Sequence, residues 1–175
     1  MIIDLLRHGE PVGGRMYRGN QDDPLTQKGW DQMLESTQNK HWDYIASSSL
    51  IRCSEFAKHL AQQQTIELGI FDDFIELGFG DWQGKTASEI GQSRVDRFKA
   101  DPLNNRPTHA ENLLNFQNRV LSRFDQIIQT QAGKNILIVA HAGVIRVIKS
   151  HLLNLELEKM FTIEVISGSC ERFEI

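Results

Sequence analysis

The stretch NILIVAHAGVIR, residues 135–146, decides the fold. Residues 135–140 (NILIVA) carry an uninterrupted apolar run from Ile136 to Ala140 with no polar alternation. A run this short is a strand length, and its continuous apolar character predicts burial on both faces, at the centre of a parallel sheet. His141, Ala142 and Gly143 break the run, and a helix is expected over residues 143–152. Residues 2–6 (IIDLL) repeat the pattern at the other end of the chain: a short, mostly buried strand, then an abrupt change to RHGEPVGG at 7–14. Open α/β folds bind their ligands beyond the carboxyl ends of the strands. RHG at 7–9 and HAG at 141–143 both fall there.

The intervening chain alternates in the same way. Thr26 is an N-cap candidate for a helix to about Asn39, with Trp30, Met33 and Leu34 along one side. Residues 43–47 and 65–70 read as further strands, and a helix over 51–63 gathers Cys53, Phe56, Ala57 and Leu60 on one face. DFIELGFGDWQG at 73–84 reads as an extended segment ending in a loop, and residues 86–99 as one or two short helices. After a loop broken by Pro107, the longest helix is expected from Glu111 to about Gln131. The tail from Phe161 onward reads as two strands around Ser167–Ser169. Together these predict an α/β fold: a three-layer α/β/α sandwich with a mostly parallel central sheet and an antiparallel C-terminal edge.

The chain has 175 residues, which fits one domain, read as residues 1–175 with 77–110 as a short active-site insertion. Its formal net charge of -4 argues against a large nucleic-acid footprint. No stretch approaches the roughly 18 apolar residues of a spanning helix, and the N-terminal apolar run is interrupted by Asp4 and Arg7, unlike a signal peptide. The expectation is a cytoplasmic protein without a membrane partner. Cys53 and Cys170 are the only cysteines, which fits neither a disulfide scaffold nor a four-cysteine metal site. The free C-terminal edge leaves a homodimer open, as it does coverage by a loop.

Taken singly, the polar residues near the strand ends are ordinary. Taken together, Arg7, His8, Arg52, Glu76 and His141 have one coherent use. A neutral imidazole attacks phosphorus, arginines hold the phosphoryl oxygens, and a second, protonated histidine adds a donor. A carboxyl group protonates the departing alkoxide and later deprotonates water. His41, His59 and His151 lie in or beside helices and read as surface or locally bonded groups, and Trp30 and Trp42 as packing residues.

At these residues the sequence resembles the histidine phosphatase superfamily, which also contains phosphoglycerate mutases. LLRHGE at 5–10, RGNQDDPLTQKGW at 18–30, SSSLIRCSEFA at 47–57, ELGFGDWQG at 76–84 and VAHAGVIR at 139–146 carry the resemblance in order along almost the whole chain. It implies that His8 becomes phosphorylated, that Arg7, Arg52 and His141 hold the phosphate with the backbone at Ala142, and that Glu76 is the proton donor and general base. It implies no metal and no cofactor, and a small-molecule phosphomonoester as partner. Arg18, Asn20, Trp82, His109 and Glu111 are the candidate substrate contacts. A broad-specificity phosphatase, a phosphoprotein phosphatase, a mutase and a non-catalytic phosphate-binding module would use the same residues. The chain departs from the family pattern at Pro11 and Gly14, where Thr and Asn are common, and at Ser49, where proline is familiar. It departs again at Ala142 in the late glycine pair, and in the middle loop, where His109, Ala110, Glu111 and Asn112 stand for a Gly-Glu-Ser type motif.

Overall fold

The structure is a computed structural model and describes residues 1–175. Strands β1 (Ile2–Arg7), β2 (Tyr44–Ser48), β3 (Glu67–Phe71), β4 (Asn135–Ala140) and β5 (Cys170–Glu174) form one sheet in the order β3-β2-β4-β1-β5. The first four are parallel, and β5 lies antiparallel against β1. Helices α1 (Gln27–Thr37), α2 (Ile51–Gln64), α3 (Ala87–Ile90), α4 (Gln92–Ala100), α5 (Leu113–Thr130) and α6 (Ala142–Leu152) connect them.

The apolar run of β4 explains the layering. Ile136 and Ile138 face one core with Phe116, Val120 and Phe124 of α5 and Val144, Val147 and Ile148 of α6. Leu137 and Val139 face the other, with Met33 of α1 and Phe56 and Leu60 of α2. A strand buried on both faces has no polar alternation, and β4 occupies the middle of the sheet. No helix is long and apolar enough to cross a membrane.

Asp4, in the middle of β1, is almost fully buried. Its carboxylate accepts from Trp42 Nε1 at 2.7 Å and from Arg172 Nε and Nη2 at 3.0 and 2.9 Å. Arg172 is its cross-strand partner on β5, so this cluster ties the antiparallel edge strand to β1 and to the segment before β2.

Three sequence expectations are corrected. The tail contributes one strand, not two. Residues Leu157–Thr162 form a 3-10 helix, and the following segment bends over the end of β1, where Gly168 N–H donates to the Arg7 and His8 carbonyls. Helix α5 begins at Leu113, because Asn112 caps it by accepting from the Leu114 and Asn115 N–H groups, leaving Glu111 outside the helix. The segment 73–84, expected to be extended and to end in a loop, instead starts within one 3-10 turn, Asp72–Phe74, and has a second, Gly80–Trp82, where the loop was expected.

Replacing Asp4 by Ala removes the only acceptor of the buried Trp42 indole. We expect a loss of about 3 kcal/mol in urea unfolding. A change under about 0.5 kcal/mol would contradict the role given to this carboxylate.

Candidate active site

Strand register brings the two conspicuous histidines together. Arg7 pairs with Ala140 across β1 and β4, so His8 and His141 leave adjacent strands at the same level. The His8 N–H donates to the Ala140 carbonyl at 3.0 Å, and the two rings stand edge to face with centroids 5.2 Å apart. Ser47 pairs with Val139 on the other side of β4, which places Ser48 Oγ 2.8 Å from His141 Nε2. Arg52 enters from the first turn of α2, directly after β2. Gly9 is required by close approach: a Cβ there would lie 2.0 Å from the Gly29 carbonyl oxygen, so the RHG loop rests on the first turn of α1.

The hydrogen bonds fix the chemistry of His8. Its Nδ1 lies 2.8 Å from the Gly9 carbonyl, which can only accept. The ring proton is therefore on Nδ1, and Nε2 carries the free lone pair. Burial pushes the pKa of His8 down to about 3, helped by the charges of Arg52 and Arg7. Burial likewise holds His141 well below the usual histidine value, again with help from Arg52. Both imidazoles are therefore held toward the neutral form without an anion, and the protonated second histidine expected from sequence concerns the phosphate-bound site. A bound anion shifts both rings back toward protonation by the same Coulombic reasoning. Cys53 Sγ contacts both His141 nitrogens at 3.7–3.8 Å, and burial pushes its thiol far up, so it is a packing neighbour and not a thiolate.

Both guanidiniums are only partly satisfied. Arg7 Nη1 donates to the Val165 carbonyl at 2.7 Å, and Arg52 Nη2 to the Gly19 carbonyl at 2.8 Å. The buried Nε donors of both lack any partner. Unpaired buried donors cost about 1–3 kcal/mol each, and an oxyanion is the natural acceptor.

Glu76 approaches from the other side. Its Oε1 accepts from its neighbour Leu77 N–H at 2.9 Å and its Oε2 from Gly143 N–H in the first turn of α6 at 3.0 Å. A Cβ on Gly143 would lie 2.2 Å from Glu76 Oε1, so any larger residue there would displace the carboxyl tip. Ala142 opens α6, whose positive end favours an anion. Each carboxyl oxygen keeps a second lone pair for a proton.

The candidate substrate contacts divide. Asn20, Glu76, Gln83, His109 and Glu111 line a cavity of about 350 Å³. Trp82 does not: it is buried, packing edge to face on Tyr17 and Phe98, each at 5.5 Å. Arg18 is also buried, its guanidinium given to Asp23, the Val12 carbonyl and the Gly14 carbonyl, so it braces the loop after His8. Three neighbours escaped the sequence reading. Arg119 bonds the Asp73, Ile75 and Glu76 carbonyls and both oxygens of Glu111, fixing the segment that carries Glu76. Arg146 lies one helical turn after Ala142, on the face that meets the site; that spacing is the signal that could have found it. Burial lowers its pKa, and Glu76 opposes the shift. Ser48 holds His141, and nothing in its polar-rich surroundings distinguishes it in sequence.

A family model described as "Histidine phosphatase superfamily (branch 1)" matches residues 3–175. The "Adenosylcobalamin/alpha-ribazole phosphatase" of Escherichia coli is 27% identical, covering 100% of this chain and 90% of that protein. The "2,3-bisphosphoglycerate-dependent phosphoglycerate mutase" of Chlamydia pneumoniae is 25% identical over 95% of this chain and 90% of its own. Among solved structures, the "Alpha-ribazole Phosphatase from Shigella flexneri" superposes with a TM-score of 0.83 at 27% identity, covering 100% of this chain and 91% of that one.

The depressed pKa of His8 sets a sign for stability against pH. Unfolded, the ring titrates near 6.5; folded, near 3. The unfolded chain therefore takes up a proton first, and the stability present above the unfolded value is lost as pH falls through that window, by up to roughly 5 kcal/mol for this ring. The urea midpoint of the parent is expected to fall more steeply from pH 6.5 to 3 than that of His8→Asn. Equal slopes would contradict a buried neutral His8.

Proposed function

This chain belongs to branch 1 of the histidine phosphatase superfamily, and on that premise we propose that it releases orthophosphate from α-ribazole 5′-phosphate by way of phosphorylated His8. Phosphomonoesterase activity follows from the family. The residue roles and the substrate are our reading. The observation that carries the roles is the tautomer of His8: its Nδ1–H is held by the Gly9 carbonyl, leaving Nε2 free to attack beside two buried guanidinium donors without partners.

In the first step His8 Nε2 bonds to phosphorus while the bond from phosphorus to the leaving oxygen breaks. Glu76, protonated, gives its proton to that oxygen, so the alcohol departs neutral. Arg7 and Arg52 hold the phosphoryl oxygens, with His141 and the start of α6 completing the cradle. In the second step Glu76, now a carboxylate, takes a proton from water as the water oxygen bonds to phosphorus. The bond to His8 Nε2 breaks, orthophosphate leaves, and Glu76 is again protonated. From residues 77–110, Gly78, Gly80, Gln83, His109 and Ala110 line the cavity that Glu76 shares, which supports placing the leaving group there.

The narrower substrate rests on likeness. The segments GGRMYRGNQDDPL at 13–25, RCSEFA at 52–57 and ELGFGDWQG at 76–84 resemble α-ribazole phosphatases more than mutases, and curated relatives and a solved structure of similar length bear that name.

His8→Ala should form no acid-labile phosphoenzyme in a rapid-quench experiment. A folded variant that still does so would remove His8 as nucleophile. Glu76→Gln should lower kcat on alkyl phosphates by about 10²-fold or more while sparing activated aryl phosphates, whose leaving groups need less protonation. Equal loss on both would remove the acid role. For the substrate, kcat/KM on α-ribazole 5′-phosphate is expected to exceed that on 3-phosphoglycerate by at least about tenfold, or ~1.4 kcal/mol. Parity, or isomer exchange without orthophosphate, would overturn it.

A further inference from the structure

His109 stands out in the loop between α4 and α5. It adopts a left-handed backbone, φ 59°, which costs a non-glycine residue about 1 kcal/mol or more. Its side chain is 79% exposed, and Nδ1 lies 2.9 Å from Asp81 Oδ1, itself exposed. A surface pair of this kind contributes at most about 1 kcal/mol, so stability does not account for a histidine here. The position is nonetheless well fixed. The Asp81 N–H donates to the Thr108 carbonyl at 3.0 Å, and Glu111 N–H donates to the Gly78 carbonyl at 2.8 Å, locking the two loops on either side of the ring.

Because a carboxylate only accepts, Asp81 fixes the ring proton on Nδ1 and leaves Nε2 for another partner. The cavity that His109 lines has Glu76, the proton donor proposed above, in its wall. The charges of its wall are informative. Glu76 and Glu111 are acidic. The guanidinium of Arg119 is fully committed to Glu111 and three backbone carbonyls. Any positive charge on His109 is balanced by Asp81. Asn20 and Gln83 add amides, and no aromatic side chain lines the space. Such a wall suits hydroxyl groups, and it offers a second carboxylate or phosphate no free cation.

We propose that His109 is a specificity-determining residue whose Nε2 pairs with a hydroxyl of the leaving group, and that the site takes phosphate monoesters of neutral, polyhydroxylated alcohols. A hydroxyl both donates and accepts, so either protonation state of Nε2 serves. Asp81 acts by holding the ring in orientation. This inference rests on the phosphatase reading above and narrows its substrate class.

Three primary alkyl esters test it, since their leaving alkoxides are alike: ribose 5-phosphate, pentyl phosphate and 3-phosphoglycerate. The parent should show higher kcat/KM on ribose 5-phosphate than on either of the others. His109→Gly removes the ring and relieves the left-handed backbone, so its melting temperature should match or exceed the parent's. In that variant the ratio of kcat/KM for ribose 5-phosphate over pentyl phosphate should fall roughly tenfold, mainly through KM, as expected for one lost hydrogen bond. Asp81→Ala should lower the same ratio by less. An unchanged ratio in a folded His109→Gly protein, or a parent preference for 3-phosphoglycerate, would overturn the inference. A parent active on α-ribazole 5′-phosphate but on none of the three esters would overturn this inference and leave the phosphatase reading standing; one that releases orthophosphate from none of the four would sink that reading, and this inference with it.

Discussion

Two guanidiniums and two imidazoles share one buried end of the sheet. Burial disfavours the charge of Arg7 and Arg52, and it keeps His8 and His141 neutral. Both guanidiniums nevertheless keep an Nε donor without a partner. Such an arrangement is unfavourable by itself, and one oxyanion relieves it on every side: it supplies acceptors to the arginines and shifts the imidazoles toward protonation. In a site of low dielectric that attraction is stronger than at a surface. The remainder of the fold holds this unfavourable cluster together.

The load is divided between two halves of the molecule. The sheet carries Arg7, His8 and His141, because parallel β1 and β4 end in register, and β2 ends one strand further on, just ahead of Arg52. Glu76 comes from the segment after β3, tied by Arg119 of α5 and received by the Gly143 N–H of α6. Glu76 is thus held by contacts that involve neither imidazole, and it lines a cavity together with Asn20, Gln83, His109 and Glu111. The arginine and carboxylate that build this second half, Arg119 and Glu111, touch neither histidine through a hydrogen bond, yet they determine where Glu76 stands.

Much of the first half was legible in the sequence. The apolar run at 136–140 has no alternation because both its faces are buried, and that property is local. RHG and HAG could be placed at strand ends for the same reason. The second half was less legible, because it depends on contacts between segments distant along the chain. Arg119 reads as an ordinary polar residue of an amphipathic helix until its carbonyl partners at 73–76 are known. Trp82 sits among glycines, which suggests a loop tip, but Tyr17 and Phe98 close over it. The C-terminal apolar segment looked like a strand by composition; its carbonyl at Val165 is instead given to Arg7. Charge state was the other blind spot: sequence cannot report the burial that keeps His141 neutral.

The central claim is that one anion engages both histidines at once. Nitrogen-15 NMR of the imidazoles during titration with orthovanadate tests it directly, with His8 and His141 assigned by single His→Gln replacements. A single equivalent is expected to shift the ring nitrogens of both residues together, with one shared saturation curve. Shifts confined to one ring, or two rings saturating at different concentrations, would mean that no common phosphate site joins them.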